Sequence, residues 1–363
     1  MALTAPGVDH LSHSLAVSSR EFRVRFNMLK LLAASALILC SLTPAEALAW
    51  GATGHREIGR LAVEALPAEL PAFLRTPAVA YEIGEIAREP DRSKGAGTPH
   101  DADLDPGHFL NVDDQGRVRG GPAMASLPPT REAFDEALQA VGADSGKIGY
   151  LPYNIEDGFQ QLTRDFAYWR IETAALKTER NPANCAYLET DRRLREALLI
   201  RDLGYWAHFV GDGSQPMHVS IHYNGWGDYP NPHNFTQDKI HGPFEGAFIH
   251  DHVSPDQMRA AMRPYRPCVG GISVCTAAYL TATETQVAPL YTLWGQGGFV
   301  NGDARGQAFA AARVADAASE LRDLIVDAWR ASGQDVVGYK PSIAVKAAEA
   351  GETVSMAVLK GSD

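Results

Sequence analysis

From Trp50 onward the apolar residues recur at three- and four-residue steps. In His55–Leu66 the apolar positions Ile58, Leu61, Ala62, Ala65 and Leu66 share one face, and the run stops before Pro67. That pattern predicts an amphipathic helix. The same period runs through 131–141, 155–178, 192–213, 238–252, 255–263, 273–293 and 303–332, while alternating strand patterns are scarce. The expected fold class is therefore all-α, one large helical domain over residues 50–333 with no repeat or low-complexity linker to divide it. The Pro- and Gly-rich connections at 90–108 and 223–234 are long for plain bundle loops, and long ordered loops are where sites are often built. After Gly333 the helical period fades, and 334–363 reads as a peripheral tail.

The first 49 residues have a different pattern. Lys30 precedes an apolar run from Leu31 to Leu42, and Ala47-Leu48-Ala49 is a small-residue cleavage signal, so residues 1–49 read as a secretory signal peptide. Residues 1–27 read as an over-long start, because Met28-Leu29-Lys30 already supplies the short basic opening. The apolar run is well short of the ~20 residues a bilayer span needs. The expectation is a secreted or periplasmic monomer without a stable membrane anchor. Three cysteines follow the leader: Cys268 and Cys275 close a short Gly-containing loop and are expected to pair in an oxidising compartment, leaving Cys185 unpaired. Three reduced buried thiols are the alternative. No Cys-x-x-Cys occurs, which argues against a thiolate zinc site.

The formal net charge is −11, and removing the slightly basic leader makes the rest more acidic. Such a chain attracts nucleic acid poorly over long range. If it acts on phosphodiesters, attraction must be local, from metal ions and a few cationic or aromatic side chains.

Candidate metal chemistry is concentrated in two pairs. His208 and Asp212 lie four apart on one helix face, and His218 follows just past Pro216, which ends that helix. His241 and Glu245 repeat the spacing, which lets two helical side chains reach one ion. A helix that buries His and Asp among Tyr205, Trp206, Phe209 and Val210 must give those polar groups partners. Without thiolate competitors, the pairs favour zinc held by imidazole and carboxylate. The Trp50 terminus, His55, Asp91 and His108 are further candidates, each ordinary by itself. Asp101-Ala-Asp103-Leu-Asp105 is not a calcium loop, since Pro106 and Val112 stand where Gly and Glu are required. Asn234-Phe-Thr236 fits a glycosylation sequon and marks only a surface loop.

Taken together, Trp50-Gly-Ala-Thr-Gly-His55, Pro90-Asp91, Gly107-His108-Phe109-Leu110-Asn111, His208-Phe-Val-Gly-Asp212 and Gln215-Pro216-Met217-His218 resemble the trinuclear zinc phosphoesterases. These are the single-strand-specific nucleases of fungi and plants (nucleases S-one and P-one) and the bacterial zinc phospholipases C. The resemblance runs from Trp50 to about Glu245, and through later helices only in character. It implies a helical domain with long loops around a trinuclear zinc cleft. One zinc would be bound by Asp91, His108 and His208, with Asp212 bridging to a second held by the free α-amino group and carbonyl of Trp50 together with His55. The third would take His218, His241 and Glu245. Signal cleavage would then complete the site by exposing the Trp50 amine.

The implied activity is hydrolysis of single-stranded DNA or RNA, and of 3′-nucleotides, to 5′-phosphates, with Asp91 orienting the attacking water. Phe109 fits a nucleobase-stacking residue and equally a core ring. Lys94 or Arg92 would contact a phosphate, or simply be exposed charges. The sequence departs from the family in two places. Asp91 stands farther before His108, with Asp101, Asp103 and Asp105 between, and the last pair is His-x-x-x-Glu, as in the phospholipases. The four residues between Trp50 and His55 match the nucleases instead. A phospholipid headgroup ester is therefore the alternative substrate, and a non-enzymatic zinc-sequestering protein a further reading.

Overall fold

The computed structural model describes residues 50–361, and the signal-peptide reading for 1–49 lies outside the described residues. The helices in chain order are α1 (Ala52–Glu64), α2 (Pro77–Ile86), α3 (Glu89–Arg92), α4 (Thr98–Leu104), α5 (Arg131–Gln139), α6 (Ser145–Ile148), α7 (Leu151–Thr178), α8 (Pro182–Asp212), α9 (Ile249–His252), α10 (Pro255–Ala261), α11 (Ile272–Glu284), α12 (Val287–Gly295), α13 (Ala304–Ser332), α14 (Val345–Glu349) and α15 (Met356–Lys360). Among the described residues the named strands are a single antiparallel pair, β1 (Val336–Gly338) and β2 (Ser342–Ala344). The all-α expectation holds at the level of class.

Helix ends follow local chemistry where the sequence supplies it. Asn181 accepts from the backbone N–H groups of Ala183 and Asn184, with Pro182 at the first helical position, so α8 starts ten residues before the clear apolar period at 192. The expected single helix over 273–293 is two, α11 and α12, broken at Thr285–Gln286. Pro289 lacks an N–H and its ring would clash with the carbonyl four residues back, so it fits only in the first turn of a new helix. The expected helix over 238–252 begins at His241 and contains a wider π-type turn at Pro243–Phe248. Helix α2 carries apolar residues on several faces, and its start is set by Thr76, which accepts from Val79 N–H at 3.2 Å.

Helices α7 and α8 form an antiparallel hairpin. Trp169 donates to Glu196, Arg195 pairs with Asp165 at 2.8 Å, and near the other end the Trp206 indole donates to the Ile155 carbonyl at 2.9 Å. Gly158 permits this approach, because a Cβ there would lie 2.0 Å from the Trp206 ring. Helices α1, α2 and α13 close the main core around Ile58, Leu61, Ile83, Leu203, Val314 and Leu321, all at 0% exposure. The segment after Gly333 packs Val337, Ile343, Val345, Ala348, Val354 and Val358 against Ala167, Ile171, Ala174 and Leu188 of the hairpin, giving a second small apolar cluster. Cys268 and Cys275 are disulfide-bonded, Cα atoms 5.7 Å apart, and Cys185 is free. Among the described residues no helix is long and apolar enough to cross a membrane.

Candidate metal centre

The last turn of α8 places His208 and Asp212, both fully buried. A helix leaves its last four carbonyls without intrahelical donors, and here each finds one. Phe209 O accepts from Gly213 N–H, Val210 O from the Tyr279 hydroxyl at 2.7 Å, Gly211 O from the Trp50 indole at 2.7 Å and from Ser214, and Asp212 O from Gln215 N–H. The buried Trp50 indole is thus joined to the helix end that carries the two ligand candidates. Beyond it, the turn Pro216–His218 delivers His218, and the Gln215 side chain accepts from Met217 N–H while donating to Glu245 Oε2 at 2.9 Å. His241 and Glu245 come from the start of the π-type segment, His55 from α1, Asp91 from α3, and His108 from the turn Asp105–His108.

These residues converge. The His55 ring stacks on the His208 ring with centroids 3.8 Å apart. Asp212 lies between imidazoles, at 3.5 Å from His55 Nε2, 3.3 Å from His208 Nε2 and 3.7 Å from His218 Nδ1. Asp91 Oδ1 is 3.8 Å from His208 Nε2 and 3.9 Å from His108 Nε2. Three sets have ligand atoms all within 4.8 Å of one another: His55, Asp91 and His208; His108, His208 and Asp212; and His218, His241 and Glu245. All eight side chains singled out as ligands are therefore in one cluster. His55 stands with Asp91 and His208 as well as beside Asp212, a tighter grouping than the resemblance implies. Lys94 pairs with Asp91 at 2.6 Å, and Phe109 follows His108 with its ring partly exposed and its carbonyl accepting from Leu151 N–H.

The hydrogen bonds set the ring tautomers. Nδ1 of His108 meets the carbonyls of Leu104 and Asp105, that of His208 the carbonyl of Ala87, that of His218 the carbonyl of His108, and that of His241 the carbonyl of Tyr223. A carbonyl only accepts, so each Nδ1 carries a proton and each ring turns its Nε2 into the cluster. His218 Nε2 and His241 Nε2 face each other at 3.1 Å, and His241 Nε2 also lies 2.7 Å from Glu245 Oε2. His55 Nδ1 and Nε2, His108 Nε2, His208 Nε2, both Asp212 carboxylate oxygens and Glu245 Oε1 are buried without a hydrogen-bond partner. Such atoms are costly to bury unsatisfied. Convergent imidazole nitrogens and carboxylate oxygens fit a bound metal ion.

Electrostatics agree. Burial, reinforced by neighbouring imidazoles, holds His55 and His208 well below the ordinary histidine value. Burial and the nearby Lys94 push His108 down to about 3. Burial with Asp91 drives Asp212 well above the carboxylate range. For Glu245 burial acts upward, yet His241 and His218 outweigh it and hold the carboxyl at about 2. For His241 burial acts downward, but Glu245 prevails and raises it. Imidazoles beside carboxylates form the donor set a divalent ion takes.

The supporting contacts of Ser214, Gln215 and Tyr279 were not foreseen from sequence. The Gln215-Pro216 pair was a motif without a stated role, and Tyr279, almost 70 residues after α8, carries no local signal. No family model, curated protein or solved structure matches the chain.

Proposed function

We propose that this protein is a secreted or periplasmic zinc-dependent phosphodiesterase that hydrolyses single-stranded nucleic acid and 3′-nucleotides to 5′-phosphates. The observation that carries the reading is the convergence of buried imidazole nitrogens and carboxylate oxygens, many without a hydrogen-bond partner, into three sets, two of which share His208. Asp91, His108 and His208 would hold one zinc and Asp212 would bridge to a second, completed by His55 and the Trp50 amine that leader removal exposes. His218, His241 and Glu245 would hold a third. Zinc bound there supplies Lewis acidity toward phosphoryl oxygens and an activated water.

The remaining chemistry falls to this chain's own groups. Asp91 accepts a hydrogen bond from the attacking water and orients it toward phosphorus. Lys94, held against Asp91, faces the phosphate's negative charge. Phe109 stacks on a base or packs beside the scissile group. The water oxygen joins phosphorus, the P–O3′ bond breaks, and the departing oxygen takes up a proton.

One feature favours a second reading: Glu245, where the nucleases have Asp, matches the phospholipases. Turnover of denatured DNA against phosphatidylcholine separates the two, and hydrolysis of lipid alone overturns the nuclease assignment. Bound zinc with no turnover of any phosphoester would favour sequestration. One residue added before Trp50 is expected to abolish activity, and full activity in that variant would refute the terminal-amine ligand.

A further inference from the structure

The α-helical donor for the Val210 carbonyl would be Ser214 N–H, but that group goes instead to Gly211 O at 3.0 Å. Val210 O is left to the Tyr279 hydroxyl, 2.7 Å away on α11. The ring also presses on the helix exit: a Cβ at Gly213 would lie 2.6 Å from Tyr279 Cε1. Tyr279 thus meets the backbone on both sides of Asp212.

Helix α11 is itself held in place. Cys275 in its first turn is bonded to Cys268, at the end of a strap over residues 262–268. That strap is fixed to α13: Arg263 N–H donates to Ser319, Arg266 N–H to Asp323, Cys268 N–H to Asp327, and the Arg263 guanidinium pairs with Glu320 and Asp323. The disulfide, the strap and α11 form a rigid bracket, and Tyr279 is its hydrogen bond to the end of α8.

We infer that Tyr279 is a positioning residue of the metal centre, holding the last turn of α8 so that Asp212 stands where two metal ions share it. The inference rests on the metal-dependent reading above. Without the phenol a buried helix-end carbonyl loses its donor, and the turn relaxes toward another, taking Asp212 with it. His218 and His241 are anchored by their own contacts to the carbonyls of His108 and Tyr223, and are moved less by this contact. The effect is therefore selective.

The test is a double-mutant cycle read by competition for zinc against a chromogenic chelator. Tyr279→Phe is expected to weaken zinc binding about 10- to 100-fold, the range found when a partner supporting a metal ligand is lost. In an Asp212→Asn background, where the ligand that Tyr279 positions is already gone, the same change is expected to leave the residual zinc affinity unaltered. Tyr265→Phe, which removes a strap phenol bonded to Asp327, serves as control and should leave zinc affinity at the wild-type value. Equal weakening in both backgrounds, equal weakening by Tyr265→Phe, or no weakening at all overturns the assignment. A wild-type protein that binds no divalent metal sinks the parent reading, whereas unchanged tight zinc binding in Tyr279→Phe sinks this inference alone.

Discussion

The α7–α8 hairpin carries two buried polar clusters, and both contain atoms that no hydrogen bond satisfies. At its middle, Asp165 and Glu172 of α7 are 1% and 0% exposed and share Arg195 of α8, which lies 2.8 Å from Asp165 and 3.9 Å from Glu172. Both Glu172 oxygens, Arg192 Nε and Arg195 Nε lack partners there. At the end of α8, His208 and Asp212 meet side chains from α1, α3 and the loops. The mid-hairpin cluster mixes donors with acceptors. The cluster at the helix end is dominated by imidazole nitrogens and carboxylate oxygens aimed at common points. A proton on Glu172 resolves the first; the second, with several imidazoles and carboxylates around common points, fits cations shared among several ligands. Burial without partners therefore does not mark a site by itself; the kind of atom and its convergence do.

The largest expected effect lies at the helix end. Stripping zinc with a chelator should abolish hydrolysis and destabilise the fold by about 3–4 kcal/mol relative to protein in zinc at several hundred times its dissociation constant. For a domain of this size that is a fall in Tm of roughly 10 °C, readable by calorimetry. Asp212→Asn should forfeit most of this zinc-dependent rise without lowering the Tm of the metal-free protein, because it removes a buried carboxylate that has no donor. A Tm indifferent to zinc would place the two clusters in the same class and remove the distinction.

How much of this was legible in the sequence follows from the physics of each part. The four-residue spacing of His208 with Asp212, and of His241 with Glu245, is local geometry and survives folding intact. So do the long helices with a strong apolar period, as in Leu151–Thr178 and Ala304–Ser332. Asp91 and His108 come from short turns whose orientation is tertiary: His108 is aimed by the carbonyls of Leu104 and Asp105, within a connection that periodicity marks only as a loop. Helix α2 shows no clear period because its apolar residues, buried and exposed alike, fall on several faces. Glu172 gave no signal, since a lone acid inside a helix ordinarily faces solvent, and only the approach of α8 buries it.

The mid-hairpin cluster supplies a pH test of the comparison. Burial and Asp191 push the Glu172 carboxyl up to about 8, with Arg195 and Arg192 offsetting part of the rise and Tyr187 also nearby. A folded-state value above the unfolded one means that the native state binds the extra proton. Its contribution is complete below the unfolded value near 4.5 and is lost as pH rises through about 8. Glu172→Gln keeps the neutral shape and should be about 1–3 kcal/mol more stable than wild type at pH 9, with little difference at pH 5. Urea unfolding at the two pH values reads this directly. A variant less stable at both would mean that Glu172 works as a charged partner of Arg195 and not as a buried acid.

The smallest effects should separate two cations that flank Asp91. Arg92 is 61% exposed and pairs with Glu89 in solvent, and such a pair contributes about 0–1 kcal/mol. Lys94 is 19% exposed and lies 2.6 Å from Asp91. Burial works against its charge, but Asp91 prevails and raises its pKa, so it remains a cation beside the centre. Lys94→Met should raise KM for a phosphodiester roughly tenfold, about 1.4 kcal/mol of lost substrate attraction, with Tm nearly unchanged. Arg92→Ala should leave both KM and Tm within error. The contrast follows from partner choice: one cation is spent on a solvent-exposed helix pair, the other is held at Asp91, the proposed water-orienting residue. Equal effects from the two substitutions would show that the attraction is a diffuse field and not a contact at Asp91, and raising salt would then erase both alike.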